Sequence, residues 1–257
     1  MLALDYQYFE TIDSTNNEIK RRAAQGAEEG LVVSAGMQSA GRGRSGHDWK
    51  SPVGESIATS LLLRPTLPVE CLSSLTLVAA LAVRRAIYGL YDIDTEIKWP
   101  NDIVRNGKKI CGILTELSLE QQKAEYVVVG IGVNVHNRNL PEELLDKATS
   151  LDMESNQMGR GDLPPESCQE LTRRIWEEFA LLYEVFSMTG DFSVVMEEYN
   201  RFLANRNRQV RVMDPKEPWE GIARGIDESG ALLVETKEDL RRVDAGEVSV
   251  RGIYGYV

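Results

Sequence analysis

A glycine-rich loop with alternating arginines is the part of the sequence best suited to chemistry. The segment GRGRSGHDW covers residues 41–49 and sets Arg42 and Arg44 among three glycines. Glycines let backbone N–H groups wrap an anion, and each guanidinium offers forked donors to phosphate or carboxylate. The spacing matches neither the Walker A pattern nor the Rossmann fingerprint. The loop therefore predicts an anion site of another kind, and the competing interpretation is a solvated turn.

A hairpin further along the chain adds a carboxylate and an ammonium group. Asn106-Gly107 favours a two-residue turn, because both positions accept a positive φ. Asp102 begins one predicted strand and Lys109 lies on its partner, which suits a metal–nucleotide site: Asp102 for Mg²⁺, Lys109 for a phosphoryl or carboxylate oxygen. Alternation along a strand puts Lys108 and Lys109 on opposite faces, and the pattern leaves open which of them faces the site.

Three other side chains complete the candidate set. The apolar strand VGIGVN, residues 129–134, carries two glycines, which mark a close approach to its backbone, and ends in Asn134. That asparagine either reads a base edge or ribose, or only forms a turn. Trp49 closes the arginine loop, and we interpret it as a wall of the pocket. Lys98 is a further candidate cation, with packing at the sheet edge as its alternative role.

Composition narrows the class of protein. The 257 residues carry a formal charge of −11, which disfavours non-specific nucleic-acid binding. No run approaches the roughly 20 apolar residues of a membrane span, and the acidic N-terminus is unlike a signal peptide, so we expect a cytoplasmic protein. Three scattered cysteines and two histidines show no disulfide or zinc spacing.

Hydrophobic periodicity predicts an α+β fold in two parts. We predict a helix from about Asp13 to Gln25, with Thr15 and Glu18 at capping-box spacing. Short β segments after Asn205 are typical of a small barrel. The predicted domains are residues 1–204 and 205–257. Within the first domain we also expect strands near 31–33, 57–63, 96–99, 102–105, 108–119 and 126–135, and helices near 72–87, 166–186 and 192–204.

The order of these motifs resembles the catalytic domain of biotin–protein ligases. The matching features, from about Thr11 to Asn137, are Ser14-Thr15-Asn16, Gln38, GRGRxG, KWPND, KxxGILxE and GxGxN. The C-terminal segment resembles the small SH3-like barrel of the same family at Gly225-Ile226-Asp227, Gly230-Ala231-Leu232 and Gly246-Glu247. The resemblance implies a mixed β-sheet backed by helices, related to class II synthetases, followed by that barrel.

The resemblance also implies a role for each site residue. Arg42 and Lys109 would be catalytic, and Asp102 would lie near the metal. The biotin-binding residues would be Ser14, Thr15, Asn16, Gln38, Arg42, Gly43, Arg44, Lys109 and Gly112. The nucleotide-binding residues would be Arg42, Arg44, Trp49 and Asn134. Many family members carry more positive charge after GRGR, where this chain has Ser45 and His47.

The implied activity is ATP-dependent ligation with Mg²⁺. Biotin would become biotinyl-5′-AMP and then pass to a specific lysine on the biotin carboxyl carrier protein domain of a biotin-dependent carboxylase. Family members that repress transcription carry an N-terminal helix-turn-helix domain. The STN motif begins here at Ser14, so we expect no such domain, no nucleic-acid partner and no membrane partner. A homodimer formed through sheet edges stays open.

Three other functions compete with this one. A lipoate or octanoyl ligase or transferase would share the fold, but those enzymes resemble one another around RRxxGGGxVxHD, which is missing here. A biotin sensor without activity would not need Arg42, Arg44, Asp102 and Lys109 together. A generic nucleotide-binding protein would carry a Walker A or Rossmann pattern.

Overall fold

The computed structural model describes residues 2–44, 49, 52–214, 217–245 and 249–252. Within these residues, seven strands form a mixed sheet in the order β1-β2-β3-β7-β6-β5-β4. Only the β1–β2 pair is parallel, and the other described neighbours are antiparallel. The strands are β1 Asp5–Ile12, β2 Leu31–Gln38, β3 Ser56–Leu63, β4 Glu96–Lys98, β5 Asp102–Arg105, β6 Lys108–Glu120 and β7 Lys123–Asn134.

Helices cover both faces of this sheet. They are α1 Thr15–Ala24, α2 Leu75–Tyr91, α3 Leu151–Gln157, α4 Ser167–Thr189 and α5 Met196–Arg201 in the described ranges. Leu62 and Val128 pack with Ile19 of α1, whereas their neighbours Leu61 and Val129 belong to the larger core under α2 and α4. Because successive side chains of a strand point to opposite faces, β3 and β7 are buried on both sides.

One helical segment in the described part of the chain, Val69–Tyr91, has the length and composition of a membrane-crossing helix. Its apolar window is 78 % buried within the protein, between the sheet and α4. Burial against the protein's own core accounts for its hydropathy.

A second, smaller sheet follows α5. Its strands are β8 Gln209–Met213, β9 Trp219–Ile226, β10 Leu232–Glu235, β11 Leu240–Val243 and β12 Ser249–Gly252, ordered β11-β10-β9-β8-β12. All its described pairs are antiparallel. Among the described residues the end strands β11 and β12 are not paired with each other, so the region predicted as a small SH3-like barrel is seen as a five-stranded antiparallel sheet. The Trp99 indole N–H donates to the Gly230 carbonyl at 3.1 Å and joins the two sheets.

The structure departs from the sequence-based elements in four places. β1 and α3 were not expected; β1 alternates polar with aromatic residues at an exposed sheet edge, so it lacks an apolar run. The capping box is wrong: Ser14 is the N-cap, and Glu18 instead pairs with Arg21 and Arg22. The helix expected over 192–204 is limited to α5.

Candidate active site

The first part of the site lies where the chain turns from β1 into α1. The parallel pairing sets Ile12 beside Gln38, so the start of α1 faces the end of β2. The Thr15 backbone N–H donates to Gln38 Oε1 at 2.8 Å, and its hydroxyl lies 3.1 Å from the same oxygen. Ser14, Thr15 and Asn16 are buried. Ser14, Thr15, Asn16 and Gln38 therefore lie close together, as the motifs predicted, although Gln38 is at least 22 positions away from the other three in the sequence.

Residues from three strands complete what we call the polar corner: Thr15, Asn16, Gln38, Ser60 and Glu116. Ser60 Oγ on β3 lies 2.7 Å from Thr15 Oγ1 and 2.6 Å from Asn16 Oδ1. The Asn16 amide donates to Glu116 Oε2 on β6 at 2.8 Å. A side chain at Gly130 on β7 would overlap Asn16 Oδ1, so glycine is required there.

Sequence reasoning gave Ser60 no role and left the glutamate of the KxxGILxE motif unassigned. Ser60 is a buried hydroxyl in the otherwise largely apolar strand SIATSLLL, which is a signal that a polar partner lies opposite. Glu116 also accepts from Lys20 Nζ at 2.6 Å. Burial raises the pKa of Glu116, but the bonds from Lys20 and Asn16 outweigh it and the pKa lies below its ordinary value.

The hairpin of β5 and β6 supplies the lysine. Asn106 and Gly107 have φ of 50° and 77°, as the turn prediction requires. Lys109 Nζ lies 2.6 Å from Asp102 Oδ1, and Lys98 Nζ lies 3.9 Å from Asp102 Oδ2. Lys108 points elsewhere and donates to the Leu145 carbonyl. Lys109 is therefore the lysine that faces the site.

Two arginines extend the positive charge, and with Lys109 they form what we call the cationic end. Arg44 donates to Asn101 Oδ1 at 3.1 Å and to the Ala245 carbonyl at 3.4 Å. Burial lowers the pKa of Arg44, and the nearby Asp102 carboxylate opposes that shift. Arg42 is exposed and donates to Asn17 Oδ1. Ser45 and His47 lie outside the described residues.

Trp49 lies on a floor made of two glycines. Gly112 on β6 and Gly132 on β7 are directly paired across the sheet. A Cβ on Gly132 would come within 2.5 Å of the Trp49 ring, and one on Gly112 within 3.4 Å. The Trp49 Nε1 group is buried, with no hydrogen-bond partner among the described residues. This geometry matches the expected role of Trp49 as a pocket wall.

Two adjoining cavities connect these parts and share Arg42, Gly43, Arg44, Ile113 and Leu114. The smaller, of about 50 Å³, is lined by most of the expected site residues, including Ser14, Thr15, Asn16, Gln38, Trp49, Lys109 and Gly112. The larger, of about 580 Å³, opens toward Val69–Thr76 and the outer half of β6.

Two expected site residues lie outside the described lining of these cavities. Asp102 stands behind Lys109 and contacts it directly. Asn134 lies two positions beyond Gly132 on β7 and donates to the Thr149 carbonyl at 3.1 Å. Across the described residues, no group of three or more His, Cys, Asp or Glu side chains is arranged to hold a metal.

Known proteins resemble this chain in sequence. Residues 8–134 match the biotin/lipoate A/B protein ligase family, and residues 207–251 match the biotin protein ligase C-terminal domain. The chain is 35 % identical to the bifunctional ligase/repressor BirA of Bacillus spizizenii, over 95 % of this chain and 73 % of that protein. It is 33 % identical to the biotin–[acetyl-CoA-carboxylase] ligase of Paracoccus denitrificans, over 93 % of this chain and 98 % of that protein.

A solved structure agrees with the sequence matches. The biotin protein ligase from Aquifex aeolicus, in complex with biotin and ATP, superposes with a TM-score of 0.83 and 29 % identity. The match covers 96 % of this chain and 99 % of that one. Both the catalytic and the C-terminal regions are included in these alignments. The chain therefore belongs to the biotin protein ligase family.

Proposed function

We propose that this chain joins biotin to AMP at the expense of ATP and then transfers biotin to a lysine of a biotin carboxyl carrier domain. One observation carries the proposal: a single small cavity is lined by Thr15, Asn16 and Gln38 of the polar corner together with Lys109, Arg42 and Arg44. A cyclic urea needs precisely arranged neutral donors and acceptors, whereas a carboxylate and a phosphate need cations. The cavity offers both kinds of group.

In the first step a biotin carboxylate oxygen attacks the α-phosphorus of ATP, and pyrophosphate leaves. Two anions must approach each other, so the cations of the site lower the barrier by stabilising the charge that gathers on the transferring oxygens. Lys109 would contact the carboxylate and α-phosphate oxygens, and Arg42 and Arg44 would contact the phosphates. Lys109 is already held by Asp102 at 2.6 Å, so binding exchanges one carboxylate partner for another.

Magnesium belongs to this proposal as the ion that ATP brings with it. Mg²⁺ is usually held by one or two carboxylates together with phosphate oxygens and water. Asp102 is the carboxylate we propose for this role: it is buried, and because Lys109 at 2.6 Å and Lys98 at 3.9 Å balance its charge, the ion would have to replace one of these ammonium groups. When bound, the ion would neutralise phosphate charge, and Asp102 would be the residue that holds it.

In the second step the neutral amine of the carrier lysine attacks the acyl carbon of the mixed anhydride. A C–N bond forms, the bond from that carbon to the phosphate oxygen breaks, and AMP leaves with the electron pair while the amine loses a proton to solvent. No enzyme nucleophile is needed, so a Ser–His–Asp arrangement is not required. The arginine loop and Trp49 would limit water access to the anhydride.

The remaining assignments belong to the same proposal. Ser14, Thr15 and Gln38 would bind the ureido ring, Asn16 and Gly112 would border it, and Asn134 would lie near the adenine. The carrier would be a domain of a biotin-dependent carboxylase, and the reaction would take place in the cytoplasm. The acidic net charge of −11 supports a ligase that works without a nucleic-acid partner.

Pyrophosphate release from ATP tests the activity without any carrier. We expect release with biotin, none with lipoate and none without an acid, together with biotinyl-AMP recovered from the protein. Release that depends on lipoate would move the chain to the lipoate branch of the matched family. Biotin binding without pyrophosphate release would make it a sensor.

A further inference from the structure

Four polar side chains lie in a continuous row through the polar corner: Glu116, Asn16, Ser60 and Thr15. The successive contacts measure 2.8, 2.6 and 2.7 Å. Ser60 is fully buried, and Thr15 and Asn16 are nearly so. Buried polar groups of this kind must be matched donor to acceptor, so the position of each hydrogen is constrained by its neighbours.

Glu116 sets the direction at one end of the row. Burial disfavours its charge, but Lys20 and Asn16 together keep its pKa below the ordinary value, so at neutral pH it is a carboxylate that only accepts. Asn16 must therefore present Nδ2 to Glu116. Its second amide hydrogen points to the Leu114 carbonyl at 3.5 Å. The carbonyl oxygen of Asn16 is then the atom that meets Ser60.

The hydroxyl hydrogens follow from this orientation. Ser60 has one hydrogen and two oxygen neighbours, Asn16 Oδ1 and Thr15 Oγ1. Two oxygens at 2.6 or 2.7 Å repel each other unless a hydrogen lies between them. Both contacts receive one only if Ser60 donates to Asn16 and Thr15 donates to Ser60. The alternative, in which Ser60 donates to Thr15 and Thr15 donates to Gln38 Oε1 at 3.1 Å, leaves the shorter 2.6 Å contact between Ser60 and Asn16 without a hydrogen.

We propose that Ser60 and Glu116 are positioning residues, which orient the Thr15 hydroxyl so that it accepts a hydrogen bond from a ligand N–H in the cavity. Thr15 lines that cavity, and in the arrangement that places a hydrogen in both short contacts of Ser60 its hydroxyl hydrogen points to Ser60. The matching ligand chemistry is a cyclic urea, whose ring nitrogens are donors. The inference rests on the proposed function, since it explains how this protein selects the urea end of biotin. It also gives Asn16 an indirect role, through Ser60.

Biotin titration by calorimetry, without ATP, is the first test. Ser60→Ala removes the hydrogen that Asn16 needs and the acceptor that Thr15 needs, so we expect roughly tenfold weaker biotin binding. Ser34→Ala is the matched control, because Ser34 Oγ bonds Thr59 Oγ1 at 2.8 Å on neighbouring strands, away from the row. Its affinity for biotin should stay unchanged. In turnover assays Ser60→Ala should raise KM for biotin, with kcat and KM for ATP unchanged.

A double-mutant cycle separates the relay from a simple packing role. If Ser60 acts through Thr15, Ser60→Ala should add less than about twofold once Thr15→Val is present. Losses that multiply would overturn the relay. Ser60→Cys keeps a weak donor in a similar volume, so we expect a biotin affinity between those of the unmodified protein and Ser60→Ala. If Ser60→Ala unfolds below the assay temperature, the biotin affinity of Ser60→Cys tests the relay in its place.

Glu116→Gln tests the start of the row. An amide can turn either its oxygen or its nitrogen toward Asn16, so the fixed direction is lost, and we expect about threefold weaker biotin binding. Glu125→Gln is the control, since Glu125 is a carboxylate on the same hairpin that bonds only Ser118 among side chains of the described residues. If the unmodified protein does not bind biotin, the proposed function fails. If it binds and Ser60→Ala binds equally well, only the relay fails.

Discussion

The polar corner and the cationic end lie in one cavity but are built in opposite ways. In the polar corner, Thr15, Asn16 and Ser60 are buried. Ser60 bonds the other two at 2.7 and 2.6 Å, and Thr15 and Asn16 each bond a further residue, Gln38 and Glu116, at 2.8 Å. In the cationic end, Arg42 is exposed and Arg44 is held by one side chain and one carbonyl at 3.1 and 3.4 Å.

The proposed function explains this difference by what each part would recognise. A neutral urea ring gives little energy per contact, so its site must be rigid before the ligand arrives. Anions attract cations at longer range, so their site can be assembled from a loop and a hairpin and still be selective. Lys109 illustrates the second case, because Asp102 compensates its charge at 2.6 Å and, under the proposed function, a substrate carboxylate would take the place of Asp102.

The largest effect should come from removing the lysine of the cationic end. We expect Lys109→Ala to slow biotin-dependent pyrophosphate release by about two orders of magnitude or more, since it removes a cation aimed at the reacting oxygens. Lys108→Ala is the matched control, because that side chain points to the Leu145 carbonyl, and it should change the rate by less than about twofold. Equal losses in both variants would contradict the assignment of Lys109.

Two glycines of β7 provide the sharpest comparison between the two parts. Gly130→Ala would place a methyl group against Asn16 Oδ1, so it should weaken biotin binding by tenfold or more, at roughly 1–3 kcal/mol of stability. Gly132→Ala would instead displace the Trp49 ring. It should speed the loss of biotinyl-AMP and leave biotin affinity nearly intact. Calorimetry measures the biotin affinity, and a chase of labelled adenylate measures the loss of biotinyl-AMP. The same defect in the two variants would contradict a separation of the two regions.

The exposed arginine should separate function from stability. Arg42→Ala should release the adenylate roughly tenfold faster, because a forked donor to phosphate is lost. The free energy of unfolding should change by less than about 0.5 kcal/mol, since the side chain is exposed. Adenylate half-life and chemical denaturation test the pair of expectations, and a stable Arg42→Ala protein with unchanged retention would remove Arg42 from the site.

The smallest expected effect is on the free energy of unfolding at acidic pH. The pKa of Glu116 in the folded protein lies below its ordinary value of 4.5. A depressed carboxyl pKa means that its stabilisation is present above about pH 4.5 and is lost as the pH falls through the folded value. The Glu116 side chain is 25 % exposed, and solvent partly screens its ion pair with Lys20, so we expect less than about 1 kcal/mol. Denaturation at pH 7 and near pH 4 should show a smaller loss for Glu116→Gln, and an equal loss would exclude Glu116 as a contributor.

The two regions also differ in how far the sequence predicted them. The glycines, arginines and lysine of the cationic end stand in contiguous motifs, and the Asn106-Gly107 turn explains why Lys109 and Asp102 meet. The partners of Asn16 come from residues 44 and 100 positions away, and only the sheet order brings them together. β1 was not predicted for a different reason: an edge strand with an exposed face lacks a continuous apolar run.

The bond from Trp99 to Gly230 has a consequence for how the protein unfolds. Trp99 is 1 % exposed and packs in the same core as Val210, Ile226 and Leu232 of the smaller sheet, and Ile97 bridges to Leu203 beside it. Removing the smaller sheet would take away the acceptor of the indole N–H and expose part of this shared core. The chain should therefore melt in one cooperative transition, and a protease that clips after α5 should destabilise the whole molecule rather than release a durable catalytic fragment.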